Sequence, residues 1–525
     1  MLGIIYCLLA ILIGKEVAGM FFVSENRNKS TRTNQFWILA SGALGTGLLI
    51  FGWITYMISW AASALGAEKP LIYGNLAVMA GAAVFLALLY GRRYRKENSI
   101  LSEYEQALIH DKKQFRKELI LLVILAVFLT WIMFYVFYIK DGVLYSGYTV
   151  YGDYAPHTAM MRSFSLGNNF PTQYPHFGGQ DVKYHFMFQF LVGNLEFLGL
   201  RLDFAYNIVS ILALLAFLMM LYNLALRITG SFAASVMTIV FFFFRSALTF
   251  FHFVLEHLQA GDLMETFRNN MNFIGYTPNE NWGLWNFNVY LNQRHLAFGL
   301  LIVTLALWMF LEWVDAGCAH EEKGWNWLTG RIFSREAWKS RNLENALMAG
   351  MMLGLTSFWN GAAVIGGLLI LFGFAAFSDG KLDYLVTAIA AVVFAELQAK
   401  VFYLGRCGKY FVLLGISGRG QITARGTVVP FADERSFFSW RTGTSVFPER
   451  PQTESASDKF SLSVDFRILY FADTGYCGKP EIYYDLLRIC GNVLGMGICE
   501  TVPEGDLAET GSSCTRHLPD DHRYL

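Results

Sequence analysis

The chain has 525 residues, 54% of them hydrophobic and 16% charged, and its 41 Lys+Arg and 41 Asp+Glu cancel to a formal net charge of zero. Soluble domains carry about 25% charged residues, and a neutral surface favours precipitation, so these figures exclude an ordinary soluble protein. The lack of a basic excess also excludes a nucleic-acid binder. Aromatic residues reach 16%, which suits lipid-facing helices with interfacial belts. The seven cysteines show neither a disulfide ladder nor a metal-binding pair.

A helix that crosses a bilayer needs about 20 mostly apolar residues. Such stretches lie at 2–23, 36–60, 71–91, 118–138, 205–226, 231–253, 296–314 and 384–403. The stretch 345–377 is too long for one span and short for two, and Trp359-Asn360-Gly361 near its middle predicts a tight helical hairpin. The fold class expected is all-α: a polytopic bundle of about 9–10 spans over 1–403, with large outer loops that carry interfacial helices.

Lys and Arg in short loops set the orientation. They concentrate in 24–35, 92–117 and 315–342, which are therefore expected in the cytoplasm. The loop from 139 then starts outside. An odd number of crossings must separate it from 315, and three strong spans already supply that number. The segment 184–199, with Asn194 and Glu196 inside it, is therefore expected not to cross, and loops 139–204 and 254–295 share the outer face.

These two loops hold most of the unusual polar residues. Asp153 precedes an apolar-periodic stretch that Gly167 ends, with Pro156 in its first turn. The simple expectation is a helix N-cap. The sharper one is a carboxylate facing a cavity beside His157, which lies four residues on and so on the same helix face. His157, His176 and His185 are too widely spaced for a recognisable zinc pattern. The second loop ends in Asn292, Gln293, Arg294 and His295 against a span. Arg294 reads either as a snorkelling flank residue or as a guanidinium that holds a phosphate. Arg245 lies inside an apolar run, where a cation usually faces a cavity or a partner.

The stretches at 151–190 and 288–299, on this scaffold, resemble the GT-C superfamily of membrane glycosyltransferases, over roughly 1–403. The nearest likeness is to a subgroup of uncharacterised bacterial multi-pass proteins. The resemblance implies transfer of a hexose or pentose on the outer face of the bacterial plasma membrane, in cell-envelope synthesis. The donor would be a polyprenyl-phosphate or related lipid-linked sugar, and the anomeric carbon would invert. Asp153 matches the acidic residue of the family's first outer loop and would be the base, with His157 orienting it or helping to bind metal. Arg245, His185, Asn292, Gln293, Arg294 and His295 would bind substrate. A divalent cation, Mg or Mn, is the cofactor that the family leaves room for. Many members carry paired acids, whereas Tyr154 follows Asp153 and no acid lies within two residues, so that metal-binding pair is not repeated. The alternatives are a lipid-sugar flippase, expected to show midplane charges and paired repeats, and a non-catalytic membrane assembly protein.

From 404 the composition shifts. Five of the seven cysteines and six of the eleven prolines lie beyond that point, and no spanning helix is visible. The region 404–525 reads as a polar tail, disordered or translated out of frame, with a disulfide domain disfavoured by its odd cysteine count.

Overall fold

The computed structural model describes residues 2–23, 33–97, 108–147, 152–244, 249–269, 286–318, 329–330, 332–402, 410–413, 416–422 and 428–430. All of these lie within one compact unit, Met1–Asp473. Among the described residues, eight helices are long and apolar enough to cross a membrane. They are α1 (Leu2–Phe21), α2 (Gln35–Ala64), α3 (Pro70–Glu97), α4 (Lys112–Val136), α7 (Leu202–Thr229), α12 (His295–Cys318), α14 (Ser357–Phe377) and α15 (Lys381–Phe402). At about 1.5 Å per residue each reaches roughly the 30 Å of a bilayer core. The chain is a helical multi-pass membrane protein. Among the described residues of the tail, Tyr410–Leu413, Ile416–Ile422 and Val428–Pro430 form three short antiparallel strands, β3 to β5. Most of the tail lies outside the described residues.

The shorter elements sit between these helices. The hairpin strands β1 (Phe137–Lys140) and β2 (Val143–Ser146) follow α4. Helices α5 (Tyr154–Ser165), α6 (Met187–Phe197), α8 (Phe232–Phe244), α9 (Thr249–Ala260), α10 (Leu263–Asn269), α11 (Asn286–Asn292) and α13 (Leu343–Leu355) complete the set. The span expected at 231–253 takes in α8 and the start of α9, and residues 245–248 between them lie outside the described residues. The segment 184–199 forms α6, whose 11 residues extend about 16 Å and cannot cross. Asn194 and Glu196 are helix ties here, not marks of an interface. Asn194 exchanges two amide hydrogen bonds with Asn75 of α3, at 2.6 and 2.9 Å. Glu196 accepts from Ser165 at 2.7 Å and pairs with Arg162 at 3.0 Å, both on α5.

Close contact between α1 and α2 depends on glycine. A Cβ on Gly14 would lie 2.0 Å from the carbonyl of Ala43, and one on Gly47 would lie 2.1 Å from that of Ala10. Small residues let membrane helices approach at backbone distance, where packing rather than hydrophobic force holds them.

The two ends of the bundle differ. At one end the side-chain oxygen of Asn34 accepts from the backbones of His110 and Asp111, and Arg227 of α7 pairs with Asp315 of α12 at 2.5 Å. The junctions that carry the basic loops therefore share that end. At the other end of α2, Ser63 donates to Phe170 O and Tyr56 bonds Thr172, both in the segment after α5.

Near the basic end, Glu118 of α4 is fully buried. It accepts from Asn34 (2.8 Å), Trp37 (2.7 Å), Gln114 (2.9 Å) and Tyr222 (3.3 Å), so one carboxylate ties α2, α4 and α7 together. Removing it strands these donors, and an unsatisfied buried donor costs about 1–3 kcal/mol. Glu118→Ala is expected to lower stability by about 3 kcal/mol or more in denaturant titrations of the purified protein. A loss below about 1 kcal/mol would show that the network is not structural.

The predicted hairpin within 345–377 is present, with its turn at Thr356 and a second break at Asn360, whose backbone is extended (φ −164, ψ 94). The ends exposed by the break are caught from three sides. Trp53 Nε1 donates to Leu355 O, Gln398 Nε2 to Gly354 O and the Phe186 amide to Phe358 O. Asn360 Oδ1 accepts from the Ala363 amide at 2.9 Å and caps the resumed helix. A 13-residue α13 extends only about 20 Å, short of the roughly 30 Å of a bilayer core.

Candidate functional site at the junction of two loops

Helix α5 begins beside Asp153, yet the carboxylate does not cap it: no side-chain cap bond forms. Asp153 thus holds the N-cap position, as expected, without the capping bond of its side chain. Asp153 Oδ2 instead accepts from Asn292 Nδ2 at 2.6 Å and from Gln293 Nε2. The Asp153 amide donates back to Asn292 Oδ1 at 3.3 Å, and Tyr154 OH donates to Leu291 O at 2.6 Å. The two loops, 139 positions apart at the Asp153–Asn292 pair, are thereby joined. Burial pushes the Asp153 carboxyl above its ordinary value, and the two amide bonds oppose that rise. Asn292 and Gln293, expected to bind substrate, spend their amide N–H groups on Asp153 and so position it.

Three histidines gather behind this pair. The His157 ring meets that of His295 edge-on at 5.6 Å, and the His185 ring lies 3.8 Å from that of His295. His176 is not among them; its ring lies near those of Tyr174 and Phe177. Burial, reinforced by the positive charge of Arg294, lowers the His157 pKa to about 4. His185 is held well below 6.5 by burial first and by His157 second. These two rings are neutral at physiological pH.

Arg294 neither snorkels nor faces outward. It is 1% exposed. Its Nη1 donates to Asn207 Oδ1 and its Nε to Leu291 O, and its guanidinium lies over the Tyr206 ring at 4.4 Å, with Phe137 and Tyr154 each at 5.6 Å. The expectation that this guanidinium grips a phosphate is corrected by that enclosure: it is an internal cation between α7, α12 and the β-hairpin. No salt bridge to it is found among the described residues. Arg245 lies outside the described residues.

The β-hairpin braces this wall. Asp141 and Gly142 at its tip both have positive φ, 51 and 78, the geometry of the tight hairpin turn that Asp-Gly favours. Asp203 Oδ2 accepts from the Ile139 amide, Arg201 grips Asp203 at 2.6 Å, and Asn207 Nδ2 donates to Phe137 O. Asn207, Tyr206 and Asp203 did not stand out in the sequence, although a polar cluster at the start of an apolar span was the available signal.

Mg and Mn are hard ions that favour several oxygen ligands, whereas Asp153 offers a single carboxylate, whose Oδ2 already accepts from two amides, beside packed imidazoles. Among the described residues no group of three His, Cys, Asp or Glu is arranged to hold a metal. Comparisons with protein-family models, curated proteins and solved structures found no match to the chain.

The histidines carry a pH consequence. The folded-state pKa of His157 is depressed from 6.5 to about 4, so the unfolded chain binds the extra proton first as pH falls. Its contribution to stability is fully present above about 6.5 and declines as pH falls toward 4. Melting temperature is expected to drop across that window, and His157→Gln is expected to flatten the drop. An unchanged slope in the variant would refute the assignment.

Proposed function

We propose that the chain is a membrane glycosyltransferase of GT-C type. It would move a hexose or pentose from a polyprenyl-phosphate or related lipid-phosphate donor to an acceptor on the extracytoplasmic face of the bacterial plasma membrane, with inversion. The observation that carries this reading is the Asp153 carboxylate, held by Asn292 and Gln293 at the junction of the two outer loops. Partial burial raises its proton affinity, which suits a general base.

In the step proposed, Asp153 takes the proton of the acceptor hydroxyl as its oxygen attacks the anomeric carbon. The bond to the donor phosphate breaks with its electron pair, and the phosphate leaves as an anion. No general acid is needed, unlike hydrolysis with paired carboxylates. Arg294 contributes positive field from within the wall. His157 packs against His295 and fixes the inner side of the site. No step is routed through a metal. The test is equilibrium binding of a polyprenyl-phosphate sugar to the purified protein, with and without divalent metal. Binding that survives chelation supports the reading; absence of binding under both conditions contradicts it.

A specific observation favours one rival, a lipid-sugar flippase. Helix α14 is interrupted at Asn360 and the apolar α13 has only 13 residues, and discontinuous helices commonly bind transported substrates. A flippase returns the donor intact on the other leaflet, whereas a transferase consumes it.

A further inference from the structure

The break in α14 carries more than a turn. Four buried side-chain atoms near it have no hydrogen-bond partner: Nε2 of His185, Nδ1 of His295, Nε1 of Trp359 and Nδ2 of Asn360. Contacts in the fold bring these residues into one neighbourhood. The rings of His185 and His295 lie 3.8 Å apart, the neighbouring Phe186 amide bonds Phe358 O at 3.0 Å, and Phe298 stacks on Trp359 at 4.4 Å. A Cβ on Gly299, one helical turn from His295, would lie 2.7 Å from the Asn360 side chain. Asn360 itself is 1% exposed.

An unpaired buried polar atom is costly, and several in one neighbourhood call for a partner. The chemistry of that partner follows from the donors. The amide nitrogen of Asn360 and the indole nitrogen of Trp359 can only donate, so they require an acceptor. Asn360 also begins the long arm of α14, whose N-terminal end carries the positive pole of the helix dipole. The neighbouring cation Arg294 has no carboxylate paired to it among the described residues, so the local field also favours an anion.

We propose that Asn360, with His295 and His185, forms the seat for the phosphate of the lipid-linked donor, a subsite that rests on the glycosyltransferase reading. A chain of contacts connects it to the base. His157 lies one helical turn from Asp153, its ring meets His295 at 5.6 Å, and Asn360 lies beside the next turn of α12.

The test compares polyprenyl phosphate with the uncharged polyprenol, each titrated into the purified protein in lipid nanodiscs. The unaltered protein is expected to bind the phosphate form at least about tenfold more tightly, the size of one charge-assisted hydrogen bond. Asn360→Ser keeps a capping oxygen but takes away the longer amide arm and its nitrogen, leaving only a short hydroxyl that already serves as the cap, and should reduce that preference about tenfold. Asn360→Asp also keeps the cap, places a carboxylate against the phosphate and should abolish the preference. Melting curves on both variants establish that they fold. Equal binding of phosphate and alcohol by the unaltered protein, or unchanged preference in both folded variants, overturns the proposal and leaves water as the partner of these atoms. If sugar transfer persists in that case, the transferase reading stands and the phosphate sits elsewhere. If Asn360 governs phosphate binding but no transfer occurs, the seat stands and the transferase reading falls.

Discussion

Asp153→Asn is expected to cut sugar transfer by about 100-fold or more, the range in which general base catalysis contributes. The substitution separates chemistry from structure. An asparagine carbonyl can still accept from Asn292 and Gln293, which presently bond Asp153 Oδ2. The backbone bond from the Asp153 amide to Asn292 is untouched, so melting temperature should move little. What disappears is the basic lone pair that burial has strengthened. Transfer rates in membranes, measured beside melting curves, check both halves. Unchanged transfer removes Asp153 from the role of base. A collapse in stability would make the carboxylate structural.

Arg294→Ala is expected to cost about 3 kcal/mol or more, the largest stability loss in the outer half of the bundle. It leaves Asn207 Oδ1 and Leu291 O without this donor and opens a cavity beside the rings of Tyr206, Phe137 and Tyr154. Arg294→Lys restores the charge but not the planar fork that stacks on the rings, so it should recover only part of the loss. A second readout separates charge from packing. Arg294 helps depress the His157 pKa, so removing the cation should raise that pKa from about 4, while burial keeps it below 6.5. Carbon chemical shifts of the His157 ring against pH report this. A small stability loss with an unmoved His157 would show that the internal cation is dispensable.

Much of the architecture was legible because bilayer thickness sets helix length. The expected spans at 2–23, 36–60, 71–91, 205–226, 296–314 and 384–403 correspond to long apolar helices. Parity was informative as well: counting crossings from the basic loops put Asp153 and Arg294 at one end, and there the two loops meet. Short-range chemistry was harder to read. Asp153 looked like a cap because its position is that of a cap, but two amides 139 and 140 positions away compete for the carboxylate. Arg294 looked solvent-facing or ligand-facing because no carboxylate was near in sequence; its partners are aromatic faces and Asn207, which only the tertiary fold assembles. The Asp-Gly pair at 141–142 was a readable turn signal passed over between stronger apolar patterns. Asn360 was visible as a hairpin residue, but its unsatisfied nitrogen could not be.

The central claim, inverting sugar transfer from a lipid phosphate at Asp153, has one direct measurement. Membranes carrying the unaltered chain are supplied with a polyprenyl-phosphate sugar labelled at the anomeric carbon, and released polyprenyl phosphate and the anomeric configuration of the product are followed by NMR. The account predicts donor consumption, a product of inverted configuration and loss of both in Asp153→Asn. Recovery of intact donor from either leaflet, or a product with retained configuration, would contradict it.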